Sequence, residues 1–502
     1  MAIDAPAAGP AAPARTARQK SLYRAVWRWH FYAGLFAIPV IVLLSVTGII
    51  YLFKPQLNGI LYGRYMHVTP AAHAQPYEQQ QAAVLERYPG ASIDDLQTPD
   101  NVGRATQFDI TTAQGSALAV WVNPYTAQVT GTKSSNNLVQ IAKELHGTLV
   151  TGDFLTGFAT YGDAFIEIVA GWTLVLLVTG VYLWWPRGKR RTIRQAFLVR
   201  KRERHKRLFW RDLHAVTGVL FAFFIFAFMI TGMFWTGVWG KKVSEEAAKI
   251  DGYHYGYYND TEAPSALRDE LPNGRSPWLF GNLPGSTASQ RPVSAGAMVG
   301  TAANDGGTLT WAPGTQAPLD VVVANAQRAL GPGSLYIVPP AADDQQGSFF
   351  AGKWYDTDGK ANRRPTELGS AYLDQYSADV IATPGFSDAS KSAQVIEWGI
   401  ALHEGRAWGL WSQLIALGGT LSLLLSVASS LVMWRKRRPR GIGGPRLEPN
   451  RRIGIGILAV IGGLGLLFPL LGLSMVFILL LEFLVLRRIP PVARAFGLTE
   501  EN

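Results

Sequence analysis

The chain has 502 residues, a formal net charge of +11 at pH 7 and a hydrophobic share of 48%. Because cysteine is absent, disulfides, thiolate zinc sites, cysteine-ligated iron–sulfur clusters and covalently attached c-type haem are excluded. The basic residues are concentrated beside apolar segments, a distribution typical of membrane proteins, so nucleic-acid binding is not favoured.

A polar N-terminal tail at 1–29 precedes the first apolar run, at 30–53. This run lacks a cleavage site after a short apolar core, which predicts an uncleaved signal anchor. Further runs long enough to cross a hydrocarbon core of about 30 Å predict spans at 165–186, 212–239 and 409–434. A last run, at 453–486, is interrupted by Pro469, which favours a hairpin of two short helices over one long helix. The sequence therefore predicts an α-helical membrane protein with about six transmembrane helices.

The distribution of Lys and Arg predicts the orientation of these spans. The loop at 187–211 has twelve basic residues and one acidic residue, and the loop at 435–452 has eight and one. By contrast, segment 54–164 has six basic and nine acidic residues. The positive-inside rule therefore places both loops, the N-terminal tail and the tail at 487–502 in the cytoplasm. Segments 54–164 and 240–408 are predicted to lie on the opposite side.

These two polar segments show the same order of predicted elements. In the first, YEQQQAAVLERYPG predicts a helix that ends at Pro-Gly, and strand-like stretches follow it. In the second, LDVVVANAQRALGPG predicts a similar helix, again followed by strands. Aligning Tyr125-Thr126-Ala127 with Tyr376-Ser377-Ala378 brings the turns between strands into equivalent positions. Each segment is predicted to form a small α+β module, and the chain to be an internal duplication.

Histidines recur in the two halves as a first pair and a second pair, namely His30 with His214 and His146 with His403. Each histidine of the first pair stands seventeen residues before a Thr-Gly dipeptide, at Thr47-Gly48 and Thr231-Gly232. A single histidine at a membrane edge is either an interface residue or a ligand. The repetition favours the ligand interpretation, because two pairs at two membrane depths suit two haems with bis-histidine ligation.

Other residues near the histidines suit a flat, acidic macrocycle. Gly34 and Gly218 each lie four residues after a histidine of the first pair, where a missing side chain would let a porphyrin approach the helix. Arg406, near His403, is a candidate partner of haem propionates. The same role is considered for Arg24, Arg28 and Arg211, for which ordinary membrane-interface charge is the preferred interpretation.

The motifs ELHGTL…TGVYLWWPR, RDLHAVTGVLF…TG and ALHEGRAWG, with two intervening helix–strand modules, resemble the PepSY-associated transmembrane proteins over roughly residues 22–440. That family comprises bacterial iron-regulated inner-membrane proteins and includes siderophore reductases of the ferrioxamine-reductase type. The resemblance implies two periplasmic PepSY-like modules and b-type haem on transmembrane histidines. Carried over to this chain, the axial ligands would be His30, His146, His214 and His403.

The combined prediction is a multi-pass inner-membrane protein with two haems b and a cytoplasmic N-terminus, which reduces the iron of a ferric siderophore in the periplasm. Because the sequence shows no flavin or nucleotide-binding motif, the expected electron donor is quinol or a separate cytoplasmic reductase. The stretch DGYHYGYYND at 251–260 either offers tyrosines to a polar chelate or packs on the membrane interface. Two other functions remain open: a haem-free regulatory or sensor protein of the PepSY type, and a cytochrome b that serves another periplasmic acceptor.

Overall fold

The structure is a computed structural model that describes residues 14–149, 156–186, 192–200, 207–251, 297–304, 306–353, 364–437, 455–496 and 498. The chain divides into two compact units. The first unit comprises Met1–Val46, Gly147–Trp239 and Gly418–Asn502. The second unit comprises Thr47–His146 and Gly240–Leu417. The predicted loop at 435–452 lies largely outside the described residues.

The α-helices of the described residues are α1 (Ala14–Leu52), α2 (Lys54–Met66), α3 (Tyr77–Arg87), α4 (Leu138–Gly147), α5 (Thr156–Trp184), α6 (Ile193–Ala196), α7 (Arg207–Leu220), α8 (Ala222–Met233), α9 (Trp239–Asp251), α10 (Leu319–Leu330), α11 (Lys391–His403), α12 (Leu410–Arg437), α13 (Ile455–Leu467), α14 (Pro469–Leu484) and α15 (Pro490–Ala495). Single 3-10 turns occur at Pro365–Glu367, Phe386–Asp388 and Leu486–Arg488. The strands are β1 (Ser92–Gln97), β2 (Thr106–Thr111), β3 (Ala117–Val122), β4 (Val129–Ser134), β5 (Met298–Thr301), β6 (Thr308–Trp311), β7 (Tyr336–Val338), β8 (Ser348–Gly352), β9 (Ser370–Asp374) and β10 (Val380–Ala382).

Within the described ranges, four helical segments are long and apolar enough to cross a membrane, namely Leu22–Leu52, Tyr161–Trp184, Leu410–Arg437 and Pro469–Arg488. Helices α7 and α8 form a fifth candidate that is bent by 57°. The sequence predicted one uninterrupted span here, and the structure differs because the helix is broken at Phe221. Phe221 is neither Gly nor Pro, so the composition gave no sign of this break.

The C-terminal apolar run consists of two helices, α13 and α14, separated at Phe468. Pro469 occupies the first turn of α14, where its missing N–H costs no helical hydrogen bond. Helix α13 has only 13 residues and is not itself a candidate span. Six transmembrane helices therefore remain a prediction.

Helix α5 is the packing centre of the first unit. Its residue Val169 is buried in a cluster with Ala37 and Ile41 of α1 and Val427 of α12. On another side, the Trp172 indole N–H donates to the Ser474 hydroxyl of α14 at 3.0 Å. Close approach of apolar helices through such contacts is the usual basis of packing in membranes, where burial of apolar surface gives little driving force.

The second unit contains an eight-stranded antiparallel sheet with the order β10-β9-β8-β7-β1-β2-β3-β4. Strands β1–β4 come from the first polar segment, and β7–β10 come from the second. The two sets join through the antiparallel pairing of β1 with β7, in which Leu96 lies opposite Ile337. The sequence predicted a module in each segment, whereas the structure combines their strands into one continuous sheet.

The turns that were aligned in the sequence have the same conformation in the structure. The Asn123 carboxamide accepts the Tyr125 N–H at 2.9 Å, and the Asp374 carboxylate accepts the Tyr376 N–H at 2.8 Å. The last residue of each triplet, Ala127 or Ala378, has a positive φ, of 52° and 60° respectively. The internal repeat is therefore visible at the level of individual hydrogen bonds.

Helices α3 and α10 cover the apolar face of the sheet, and their N-termini cap each other. The Asp320 carboxylate of α10 accepts the Tyr77 N–H of α3 at 2.6 Å, and Glu78 of α3 accepts the Asp320 N–H at 3.1 Å. Burial, together with the neighbouring Glu78 carboxyl, raises the pKa of Asp320 to about 8. The buried core between helices and sheet includes Val84, Phe108, Ile110, Val120, Val322, Leu335 and Leu373.

Candidate functional site: two histidine pairs

The first histidine pair lies in the first unit. His30 is carried by α1 and His214 by α7, and their ring centres are 6.1 Å apart with an angle of 79° between the ring planes. Both side chains are half-buried. The sequence predicted this pairing from the repeated spacing, and the structure brings the two rings together.

Hydrogen bonds fix the protonation of both rings in the first pair. The His30 Nδ1 atom lies 2.9 Å from the Thr179 hydroxyl oxygen, and that hydroxyl donates its own proton to the Val175 carbonyl at 2.6 Å. The Thr179 oxygen must therefore accept from His30. The His214 Nδ1 atom lies 2.9 Å from the Ser426 carbonyl, which can only accept. Since Nδ1 carries the proton in both neutral rings, Nε2 carries the lone pair that a metal requires.

The second pair lies in the second unit. His146 lies in the last turn of α4 and His403 is the last residue of α11; their ring centres are 6.2 Å apart at an interplanar angle of 65°. The His146 Nδ1 atom lies 3.1 Å from the Thr47 hydroxyl oxygen of α1. The separation of the rings is thus nearly the same as in the first pair.

Two glycines allow these imidazoles to approach neighbouring helices. A Cβ atom at Gly48 would lie 3.0 Å from Cε1 of His146, and one at Gly180 would lie 3.3 Å from Cε1 of His30. Both distances are shorter than ordinary van der Waals contact, so a methyl group at either position would press on the ring. Each glycine directly follows a threonine that binds the same histidine.

The histidine pairs suit the ligand requirements of a haem better than those of a bare metal ion. Within the described residues, no group of three or more His, Asp or Glu side chains is placed to hold a bare metal ion. A haem supplies four in-plane nitrogens of its own and needs only two axial ligands. Imidazole nitrogens about 2 Å from a shared metal, on opposite sides of it, would hold their ring centres roughly 6 to 6.5 Å apart. Both pairs fit bis-histidine haem ligation in donor type and spacing.

The glycines predicted to face a macrocycle have room beside them. A Cβ atom at Gly218 would have no heavy atom within 4 Å, and one at Gly34 would make an ordinary 3.8 Å contact with Leu176. The protein itself therefore does not require glycine for close packing at either position. Their predicted role beside a porphyrin stays a prediction.

Arg406 is buried in an ion network of the second unit. Its guanidinium binds the Glu397 carboxylate and donates from Nε to Glu404 at 2.7 Å. Burial raises the pKa of Glu397 to about 7, although the positive charge of Arg406 opposes this shift. The structure thus gives Arg406 two carboxylate partners within the protein, and its predicted contact with a propionate stays a prediction.

The remaining candidates are placed differently. Arg28 donates to the Phe496 carbonyl at 3.0 Å, and Arg211 donates to Asp212 at 2.9 Å, so both have protein partners. Arg24 lies on the exposed side of α1. The tyrosines of the predicted substrate-binding stretch lie outside the described residues, namely Tyr253, Tyr255, Tyr257 and Tyr258.

Sequence reasoning missed the partners of the histidines. Thr47-Gly48 was noted only as a landmark of the repeat, and Thr179-Gly180 was passed over. The signal was nevertheless present, because Thr-Gly occurs five times within three predicted spans, namely at Thr47-Gly48, Thr179-Gly180, Thr217-Gly218, Thr231-Gly232 and Thr236-Gly237. A recurring dipeptide that combines a hydroxyl group with a missing side chain indicates close contact with another polar group.

The family described as "PepSY-associated TM region" matches residues 27–437, a range that includes all four histidines. No curated protein matches the chain significantly. Since the family match covers most of the sequence, this chain belongs to the PepSY-associated TM region family and is a membrane protein.

Proposed function

We propose that the protein is a transmembrane electron carrier with two b-type haems, which reduces the Fe(III) of a ferric siderophore to Fe(II) on the periplasmic side of the bacterial inner membrane. The observation that carries the proposal is the presence of two histidine pairs with ring separations of 6.1 and 6.2 Å. In the first pair both Nδ1 atoms are occupied by hydrogen-bond acceptors, which leaves Nε2 for the metal.

When bound by two imidazoles, a haem would supply the one-electron chemistry that a membrane electron carrier needs. The protein's part is to supply the four imidazoles from separate helices and to hold each ring at a fixed angle. Thr179 and the Ser426 carbonyl do this in the first pair, and Thr47 does so at His146. Gly48 and Gly180 provide the space for the rings.

The substrate assignment depends on the family resemblance and on charge chemistry. A siderophore binds Fe(III) through hard oxygen ligands, and transfer of one electron gives Fe(II), which these ligands hold less strongly. Reduction would thereby release the iron. The second unit, with its mixed helix–sheet domain and the second histidine pair, is the part that we assign to the periplasmic side.

The electron donor is assigned to the cytoplasmic side of the membrane. The first pair is carried by α1 and α7, whose N-terminal ends adjoin the basic segments predicted to be cytoplasmic. Quinol or a separate cytoplasmic reductase would supply the electrons there, one for each Fe(III) reduced.

An absorption spectrum of the purified protein tests the proposal directly. Two haems b per chain, with the Soret and α bands of six-coordinate iron, are expected. Anaerobic assays with a panel of ferric hydroxamates and catecholates would then identify the substrate. A protein that binds no haem under haem-replete expression would contradict the proposal and favour the regulatory or sensor function. A haem protein that reduces no siderophore would point to another periplasmic acceptor.

A further inference from the structure

Two threonine hydroxyl groups, those of Thr179 and Thr47, contact the Nδ1 atoms of His30 and His146 respectively. Building on the haem function proposed above, we propose that Thr179 and Thr47 are positioning residues for His30 and His146. They keep the proton on Nδ1, orient the ring, and thereby determine how readily the bound iron accepts an electron. This role goes beyond ligation, because neither threonine is a ligand.

The direction of the hydrogen bond is best defined at Thr179. Its hydroxyl has one proton, which goes to the Val175 carbonyl of the same helix at 2.6 Å. The lone pairs of the oxygen are therefore left for the His30 Nδ1–H at 2.9 Å. Thr179 is only 5% exposed, so water does not readily replace this contact.

The residue after each threonine supports the same interpretation. Gly180 follows Thr179 and Gly48 follows Thr47, and each glycine admits the edge of the histidine that the threonine binds. The hydroxyl fixes the rotation of the ring, and the glycine lets the ring come close enough for that hydrogen bond. The same dipeptide serves a histidine of the first pair and a histidine of the second pair.

An acceptor on Nδ1–H makes the imidazole more electron-rich and a stronger ligand. A stronger donor stabilises Fe(III) relative to Fe(II), so it lowers the reduction potential of the bound iron. Removal of the acceptor should therefore raise the potential and weaken haem binding. Changes in groups that orient metal-bound histidines typically lower affinity by about 10- to 100-fold.

The test compares Thr179→Val and Thr47→Val with Thr179→Ser and Thr47→Ser, which keep the hydroxyl. Thr173→Val is the matched control, because Thr173 is buried in the same helix as Thr179 and donates to the Val169 carbonyl in the same i−4 pattern at 2.8 Å. The readouts are potentiometric titration, haem-dissociation rate and the resonance Raman spectrum of each haem. We expect each valine variant to shift the redox equilibrium of one haem by up to about tenfold, or about 59 mV, toward Fe(II).

Serine variants with wild-type potentials, next to shifted valine variants, would support the proposal. Valine variants that match Thr173→Val in potential, dissociation rate and Raman spectrum would overturn it. If a valine variant does not fold, a shifted potential in the corresponding Thr→Ala variant supports the proposal, and an unshifted one overturns it. Because the wild-type haem content is measured first, a protein without haem would refute the proposed function, whereas a haem protein insensitive to these changes would refute only this inference.

Discussion

The two histidine pairs have almost the same ring separation but different surroundings. In the first pair, His30 and His214 donate to a threonine hydroxyl and to a backbone carbonyl, both of which are uncharged. In the second pair, His146 likewise contacts a threonine hydroxyl, but His403 is followed closely in the chain by Glu404 and by the buried Arg406. A shared ligand would impose the separation on both pairs, whereas the partners around them can diverge after a duplication. The comparison therefore separates the ring spacing, which a bound haem would require, from the groups around the rings, which can differ between the pairs.

Removal of one histidine from each pair should have the largest effect. We expect His214→Ala and His403→Ala each to lower haem content from two to one per chain, with the fold retained. In His214→Ala, reduction by the native donor should fall about 100-fold or more, while an external small reductant still reduces the remaining haem. In His403→Ala, electrons should still reach the first pair, but siderophore reduction should stop. Full haem occupancy and normal turnover in either variant would identify that histidine as an interface residue.

The ion network beside the second pair should matter mainly for stability. Arg406→Gln leaves the Glu397 and Glu404 carboxylates without their cation in a buried site, which typically costs about 3–5 kcal/mol. Arg487→Gln is the control, because Arg487 pairs with Glu482 and its side chain is 43% exposed. Loss of such a pair costs about 0–1 kcal/mol. Thermal unfolding in detergent should separate the two variants, and equal melting temperatures would show that the network contributes little.

The second unit should also respond to pH through Asp320. Its pKa is raised from 3.8 to about 8, so the folded state keeps a proton that the unfolded state releases above about pH 4. This stabilisation is fully present below pH 4 and is lost as the pH rises through 8. Between these values stability should fall by up to about 1.4 kcal/mol per pH unit. Asp320→Asn should flatten the dependence, and Asp379→Asn, at an exposed turn, should not. Melting curves from pH 5 to 9 would measure the slope.

The smallest expected effect concerns the glycine beside the second pair. Gly48→Ala places a methyl group 3.0 Å from the His146 ring, so we expect about tenfold weaker haem binding there. In a helix interior the same change normally stabilises by about 1 kcal/mol. Gly418→Ala provides the control, because a Cβ atom at Gly418 has no heavy atom within 4 Å. Haem titration of both variants measures their haem affinities. An unchanged affinity in Gly48→Ala would show that the His146 ring can move away from the added methyl group.

The pairing of the histidines was accessible from the sequence because it depends on spacing within helices. Equal intervals from His30 and His214 to their Thr-Gly dipeptides indicated that the two histidines occupy equivalent positions in the repeat. The hydrogen-bond partners were not accessible in this way. Thr47 and His146 are 99 residues apart and meet only through the tertiary fold.

The same distinction applies to the fold as a whole. The aligned turns at Ala127 and Ala378 were predicted correctly, because their conformation depends on local side-chain hydrogen bonds. The joining of β1 to β7 was not predicted, because it depends on backbone groups at strand edges, which side-chain patterns do not report. The break at Phe221 was likewise invisible in a uniformly apolar run.

The β1–β7 junction has a consequence for biosynthesis. Leu96 cannot pair with Ile337 until the ribosome has added roughly 240 more residues. At typical synthesis rates of about 5–20 residues per second, this delay is roughly 10–50 s. During this interval the nascent sheet has an open edge at β1, the kind of surface at which strands of other chains can add. Until β7 is synthesised, the first four strands would therefore depend on a chaperone or another protective contact to avoid aggregation.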